Sequence, residues 1–250
     1  MLGTFPDPFP DELLYSICAR YNDRAQHNSH ARTFQTLFGT LSLKAVLDLP
    51  SHIEDLSARL PIGCTYTADE LIEHHTLFRL YSAFLTSERI ARIRSGMLSR
   101  RKQGVHLQLG LISSGIRQNQ HLQFCPLCVT EDRRKWGEAY WHRLWAVPGV
   151  TVCPVHCVRL EASNLRTTPL KAFVSAERNL PPQSKFFFNK VDSSQQDLIS
   201  LAQNVKWLLK HPISLTDLKQ RYLAALYDQN LATYSGNVRN KQLQTAFLER

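Results

Sequence analysis

No apolar run in this chain approaches the roughly 20 residues that a membrane-spanning helix needs, so a helical anchor within it is excluded. The opening Met1-Leu2-Gly3-Thr4-Phe5-Pro6 has no basic stretch leading into an apolar segment, and a secretory signal is not expected. A disulfide framework is missing as well. Of six cysteines, four fall in a metal-spaced region, which fits a reducing, cytoplasmic compartment. Cys18 and Cys64 are left over, and Cys18 lies on the apolar face of an expected helix. There is no nucleotide-binding glycine loop, carboxylate cluster or nucleophile motif, so the chain is not expected to be an enzyme. Internal repeats and low-complexity tracts are absent. Acid is scarce: 21 Asp and Glu face 30 Lys and Arg, a net charge of +9. That surplus favours a polyanionic partner, most often nucleic acid, over an inert basic surface.

What is present is a split cysteine and histidine quartet. Cys125-Pro126-Leu127-Cys128 is followed, after a 24-residue insert, by Cys153-Pro154-Val155-His156. Two ligand pairs, each with two residues between its members, aim four side chains at one point and suit a tetrahedral Zn2+. Pro126 and Pro154 stiffen the two turns. Cys157 directly follows His156 and could replace it as fourth ligand; equal spacing of the pairs favours His156. Either choice closes the site and argues against zinc catalysis.

The chain reads as mainly α, and 250 residues can bury one good core or two small ones. Residues 1–119 form an N-terminal helical domain. Asp11 and Glu12 are expected in the first turn of a helix carrying Leu13, Leu14, Ile17 and Cys18. Ser29 caps a second helix that Gly39 stops. A third follows Ser42 with Ala45, Val46 and Leu47, making an arrangement compatible with a helix-turn-helix. Thr67 and Glu70 form a capping box, and the helix is expected to continue through Phe84. Residues 88–102 hold Arg89, Arg92, Arg94, Arg100, Arg101 and Lys102 against Glu88 alone, on an element whose Ile90, Ile93, Met97 and Leu98 repeat at helical spacing.

Residues 120–165 form the zinc module. Its insert, Trp136 to Trp145, is dense in aromatics, which either stack bases or pack round the metal. Residues 166–195 read as a linker, with Phe186-Phe187-Phe188 docking on a neighbour. Residues 196–250 read as a C-terminal helical unit. One helix carries Leu198, Leu201, Val205, Leu208 and Leu209. Another begins near Ser214 and bears Lys219 and Arg221. A third carries Val238, Leu243, Phe247 and Leu248. Arg239, Asn240, Lys241 and Gln244 at its start are what a helix-turn-helix presents to DNA.

Several segments together resemble the TniQ/TnsD family. They are Pro8-Phe9-Pro10-Asp11-Glu12-Leu13-Leu14-Tyr15-Ser16, Thr67 to Ile72 with His75 to Phe84, Phe124 to Cys128, Gly137 to His142, and Val152 to His156. The resemblance implies a target-site selector of transposons that also encode TnsA, TnsB and TnsC. Such a protein sits at the bacterial nucleoid, binds double-stranded DNA at an attachment site, and recruits the AAA+ ATPase TnsC. Some TniQ members instead ride on an RNA-guided CRISPR effector complex, which is the alternative partner here. The family's zinc ligands fall on Cys125, Cys128, Cys153 and His156, and Cys157 stands where the family commonly has glycine. Arg94, Arg100 and Arg101 become candidate contacts to the DNA backbone. Full TnsD proteins are longer, so more of the DNA reader is expected beyond Arg250.

Overall fold

The computed structural model describes residues 1–27, 29–41, 43–99, 105–109, 119–170, 172–182, 195–213, 215–233, 237–239 and 242, with the side chains of 215–219 outside that description. It is mainly helical, as the residue pattern indicates. The described helices are α1 (Leu14–Ala25), α2 (His30–Phe38), α3 (Ile53–Ser57), α4 (Ala68–His75), α5 (Phe78–Ser82), α6 (Ser87–Leu98) and α7 (Val105–Gln108), then α8 (Pro126–Trp136), α9 (Arg143–Ala146), α10 (Ala176–Asn179), α11 (Gln196–Lys210) and α12 (Leu215–Asp228). Strands β1 (His121–Phe124) and β2 (Glu161–Arg166) pair antiparallel, with Phe124 opposite Glu161 and a register shift between His121 and Gln123. None of these helices is long and apolar enough to cross a membrane.

Local chemistry sets most boundaries. Ser29 accepts the Arg32 N–H at the start of α2. Gly39 ends that helix at φ 73°, where a side chain would also meet the Arg59 guanidinium. Thr67 and Glu70 form the expected capping box on α4. That helix does not run on to Phe84. The Thr76 hydroxyl bonds back to the Ile72 carbonyl at 2.6 Å and also accepts the Phe78 N–H, ending one helix and starting the next.

Three other expectations are corrected. Helix α1 starts at Leu14, so Asp11 and Glu12 precede it and no acid lies in its first turn. No helix forms over Ala45–Leu47. Asp48 instead accepts the Leu49 N–H with its side chain, takes the Leu77 N–H on its carbonyl and pairs with His106, which fixes a loop. Val238 bridges Ala232 and is not a first-turn residue of a helix. Beyond Arg239, only Gln242 of the recognition helix expected there is described, and it is helical and exposed.

One continuous core runs from Leu2 to Leu209 and includes α1 to α4, the aromatic insert and α11. On α11 the buried stripe is Ile199, Ala202, Val205 and Leu209, while Leu201 faces solvent. The N-terminal lead and the insert are stitched together. The Leu13 N–H donates to the Trp141 carbonyl at 2.9 Å, and the Trp141 N–H donates to Ser16 Oγ at 3.0 Å. Buried Arg143 pairs with Asp11 at 2.8 Å and donates to the carbonyls of Glu73 and Thr76, joining the insert to α4. A second pair, Arg20–Glu12 at 2.8 Å, is buried beneath the Phe9 ring. Leu226 near the end of α12 forms a small separate cluster with Leu231 and Ala232 beyond it.

Candidate metal centre

Two tight turns build the centre. Strand β1 delivers Cys125 to the N-cap of α8, where Pro126 occupies the first turn without a wasted N–H. Cys128 follows three residues later on the same face. The second turn is a knuckle. The Cys153 N–H donates to the Val158 carbonyl at 2.8 Å and the Cys157 N–H to the Cys153 carbonyl at 2.9 Å, while Val152 bridges Arg159. Pairing of β1 with β2 draws the two turns together.

The donor atoms Cys125 Sγ, Cys128 Sγ, Cys153 Sγ and one ring nitrogen of His156 all lie within 4.8 Å of one another. The Cys128–Cys153 sulfurs are 3.7 Å apart. His156 Nδ1 lies 3.5, 3.3 and 3.6 Å from Cys125, Cys128 and Cys153. A tetrahedron of thiolates and imidazole around zinc has edges of about 3.6–3.8 Å, given the usual bond lengths. The donor set and its spacing therefore fit a zinc ion, and these four residues could hold one. Cys157 lies outside the group. Its backbone sits at φ 51°, in the left-handed region, which explains why glycine suits this position.

Electrostatics point the same way. Hydrogen bonds shared with Cys125 and Cys153 push the Cys128 thiol up, whereas Cys153 accepts such bonds from Cys125 and Cys128 and is lowered. A cation at the centre relieves this conflict by taking every sulfur as thiolate. The far nitrogen of the imidazole, His156 Nε2, faces Glu131 Oε1 at 3.2 Å. That carboxylate holds Nε2 protonated and leaves Nδ1 free for a metal. Glu131 was not singled out by sequence, although it lies one helical turn beyond Cys128 on α8.

The aromatic insert packs; it does not present a stacking face. Tyr140, Trp141 and Trp145 are buried. His142 is sandwiched between Tyr140 and Trp145, with ring centroids 4.2 and 3.9 Å away, and pairs with Asp132 at 2.8 Å. Trp136 alone among these aromatics is exposed, and it stacks on Phe9.

Of the candidate DNA contacts, Arg94, Arg221 and Arg239 have described side chains. Arg94 turns inward: it pairs with Asp69 at 2.5 Å and with Glu73, and lies over the Phe78 ring. A phosphate would have to compete with both carboxylates for it. Arg221 is exposed on α12, and Arg239 is exposed with its N–H donating to the Leu231 carbonyl. Lys219 lies on α12 with its side chain outside the description, and Arg100, Arg101, Asn240, Lys241 and Gln244 are outside the described residues.

The Escherichia coli protein named Transposon Tn7 transposition protein TnsD is 34% identical over 155 residues, 62% of this chain. The chain spans only 30% of that relative's length. The sequence model of the TniQ family matches residues 4–160, which hold all four metal donors and the insert that packs beside them, and the chain belongs to the TniQ family.

Proposed function

We propose that this protein marks the insertion site of a Tn7-type transposon, as a DNA-bound adaptor and not as a catalyst. The observation that carries this reading is the TniQ match over residues 4–160 with a complete Cys3His set inside it. The set holds one structural zinc. Protein donors take all four positions of a tetrahedral ion, so none is left for a reacting water. The net charge of +9 supports duplex DNA as partner. Lys219, Arg221, Arg239, Asn240, Lys241 and Gln244 serve the reading of the attachment site. Arg100 and Arg101 hold its backbone, with Arg94 joining them only by leaving Asp69 and Glu73.

Recruitment of the AAA+ ATPase TnsC falls to the block formed by residues 1–165. Deleting residues 1–60 cannot test this, because Leu13, Leu14, Ile17 and Leu37 are buried in the shared core. The full chain is the reagent. A nuclease footprint on host DNA flanking the parent transposon is expected to give one protected window. A pull-down with TnsC, ATP and duplex DNA is expected to retain TnsC. If the chain binds no duplex at low salt but co-purifies with an RNA-guided effector, the effector-riding reading replaces direct targeting.

A further inference from the structure

Helix α6 divides its arginines between two faces. Arg94 is committed to Asp69, Glu73 and Phe78. Arg89 and Arg92 lie three residues apart, so they share a face, and Arg94 is about 200° round the helix from Arg92. Both are exposed, and neither has a carboxylate partner among the described residues. Together with Ile93 and Gln108 they line a cavity of about 220 Å³ between α6 and α7.

This cavity has three properties that suit one kind of occupant. Arg89 Nη2 donates to the Gln108 carbonyl at 2.7 Å, which fixes that guanidinium and leaves its other N–H groups to face outward. Ile93, 1% exposed, gives the cavity an apolar floor against which the arginine stems can lie. Two guanidinium groups with no carboxylate partner among the described residues match the paired oxygens of a phosphate. We propose that Arg89 and Arg92 form a seat for one backbone phosphate of duplex DNA. The inference rests on the DNA-binding reading above and transfers to this pair the sequence-neutral role expected of Arg94. A phosphate held here fixes the duplex against the TniQ block without reading bases. Glu88, four residues before Arg92 and exposed, opposes the phosphate from the same face.

Fluorescence polarisation with a labelled 20-base-pair duplex of arbitrary sequence, titrated across salt, tests the seat. The proteins are the full chain and its Arg89→Gln/Arg92→Gln, Arg94→Gln and Glu88→Gln variants, each checked for helix content and zinc. One phosphate contact contributes about 0.9 to the log–log salt slope. The double variant is expected to lose about that much slope and to weaken binding to all duplexes alike. Glu88→Gln is expected to tighten binding, and Arg94→Gln to keep the slope. A double variant with unchanged slope overturns the seat while leaving DNA binding intact. A loss near 1.8 overturns the single seat in favour of two separate contacts. A wild-type chain that binds no duplex overturns both this inference and the reading beneath it.

Discussion

Leu2 and Leu209 belong to one continuous core, whereas Leu226, Leu231 and Ala232 form a much smaller cluster of their own. The first region is fastened in several independent ways. It has buried aromatics, the Arg20–Glu12 and Arg143–Asp11 ion pairs, and four donors placed for a metal. Among the described residues, the second is one long helix, α12, followed by two segments joined by the Arg239 N–H to the Leu231 carbonyl and the Thr233 N–H to the Asn237 carbonyl. The TniQ match lies wholly within the first region. A rigid block suits a surface that must stay constant for a shared partner. The smaller cluster places fewer described side chains under packing constraint, which would suit the site reading proposed for this region.

The sharpest way to break this contrast is to remove the metal. Closed zinc sites contribute on the order of 10 kcal/mol to folding. Cys128→Ser and Cys153→Ser are expected to lose zinc and to collapse the whole first region, read by metal content and by chemical denaturation. Cys157→Ser is expected to keep one zinc per chain. If it loses the metal while His156→Ala retains it, the fourth ligand is misassigned. Next in size is Arg143→Ala. It leaves the partly exposed Asp11 carboxylate and two carbonyls without their partner, and with only Arg143 fully buried the cost is expected below the about 3–5 kcal/mol of a fully buried pair. A denaturation midpoint within error of the wild type would show that the insert is not fastened through Arg143.

The sequence displayed the local parts of this fold and concealed the long-range ones. The Cys and His spacing, the Ser29 cap and the Thr67–Glu70 box are written in neighbouring residues, and each has its counterpart in the structure. Strands β1 and β2 were not legible. Glu161-Ala162-Ser163-Asn164-Leu165-Arg166 has no β-branched residue, and its partner lies far off in sequence. Arg94 read as part of a basic run because nothing nearby reveals that Asp69 and Glu73 turn toward it. Leu201 shares the helical period of Leu198, Val205 and Leu209 yet faces solvent, because the spacing of leucines alone does not fix the rotation of a helix. Glu131 gave one available signal, its position three residues after Cys128, which places it beside the metal on α8.

His75 sharpens the comparison through pH. Burial pushes its imidazole down to about 4, with a smaller push from Arg143, although its Nδ1 bonds to the Glu12 carbonyl at 2.8 Å. The unfolded chain takes up this proton near 6.5, so it binds more protons than the folded chain between about 4 and 6.5. Stability from this site is full above that window and falls as pH drops through it. The loss accumulates to about 3 kcal/mol. His75→Gln is expected to flatten this acid-side slope relative to wild type in denaturant titrations. Parallel slopes would place the imidazole in contact with solvent. Glu131→Gln comes next, with zinc affinity expected to fall 10–100-fold, about 1.4–2.8 kcal/mol, since outer carboxylates orient ligating histidines. Competition with a chromophoric chelator measures it, and unchanged affinity would reduce the 3.2 Å contact to a surface pair.

The smallest effect on global stability is expected from the second region, and its smallness is the point. Leu231 is 9% exposed and, among the described residues, packs within its own cluster. Leu231→Ala removes most of an apolar side chain from a site with few other contacts, a local loss of about 2–3 kcal/mol. If the second region opens independently of the main core, that loss appears as faster amide exchange at Ala232, Thr233 and Arg239. The main unfolding transition should then move by less than about 0.5 kcal/mol, and the metal should stay bound. A full-sized shift of the main transition would mean that the second region and the TniQ block unfold as one unit. The separation between a constant block and a variable reader would then have no basis in the energetics of the fold.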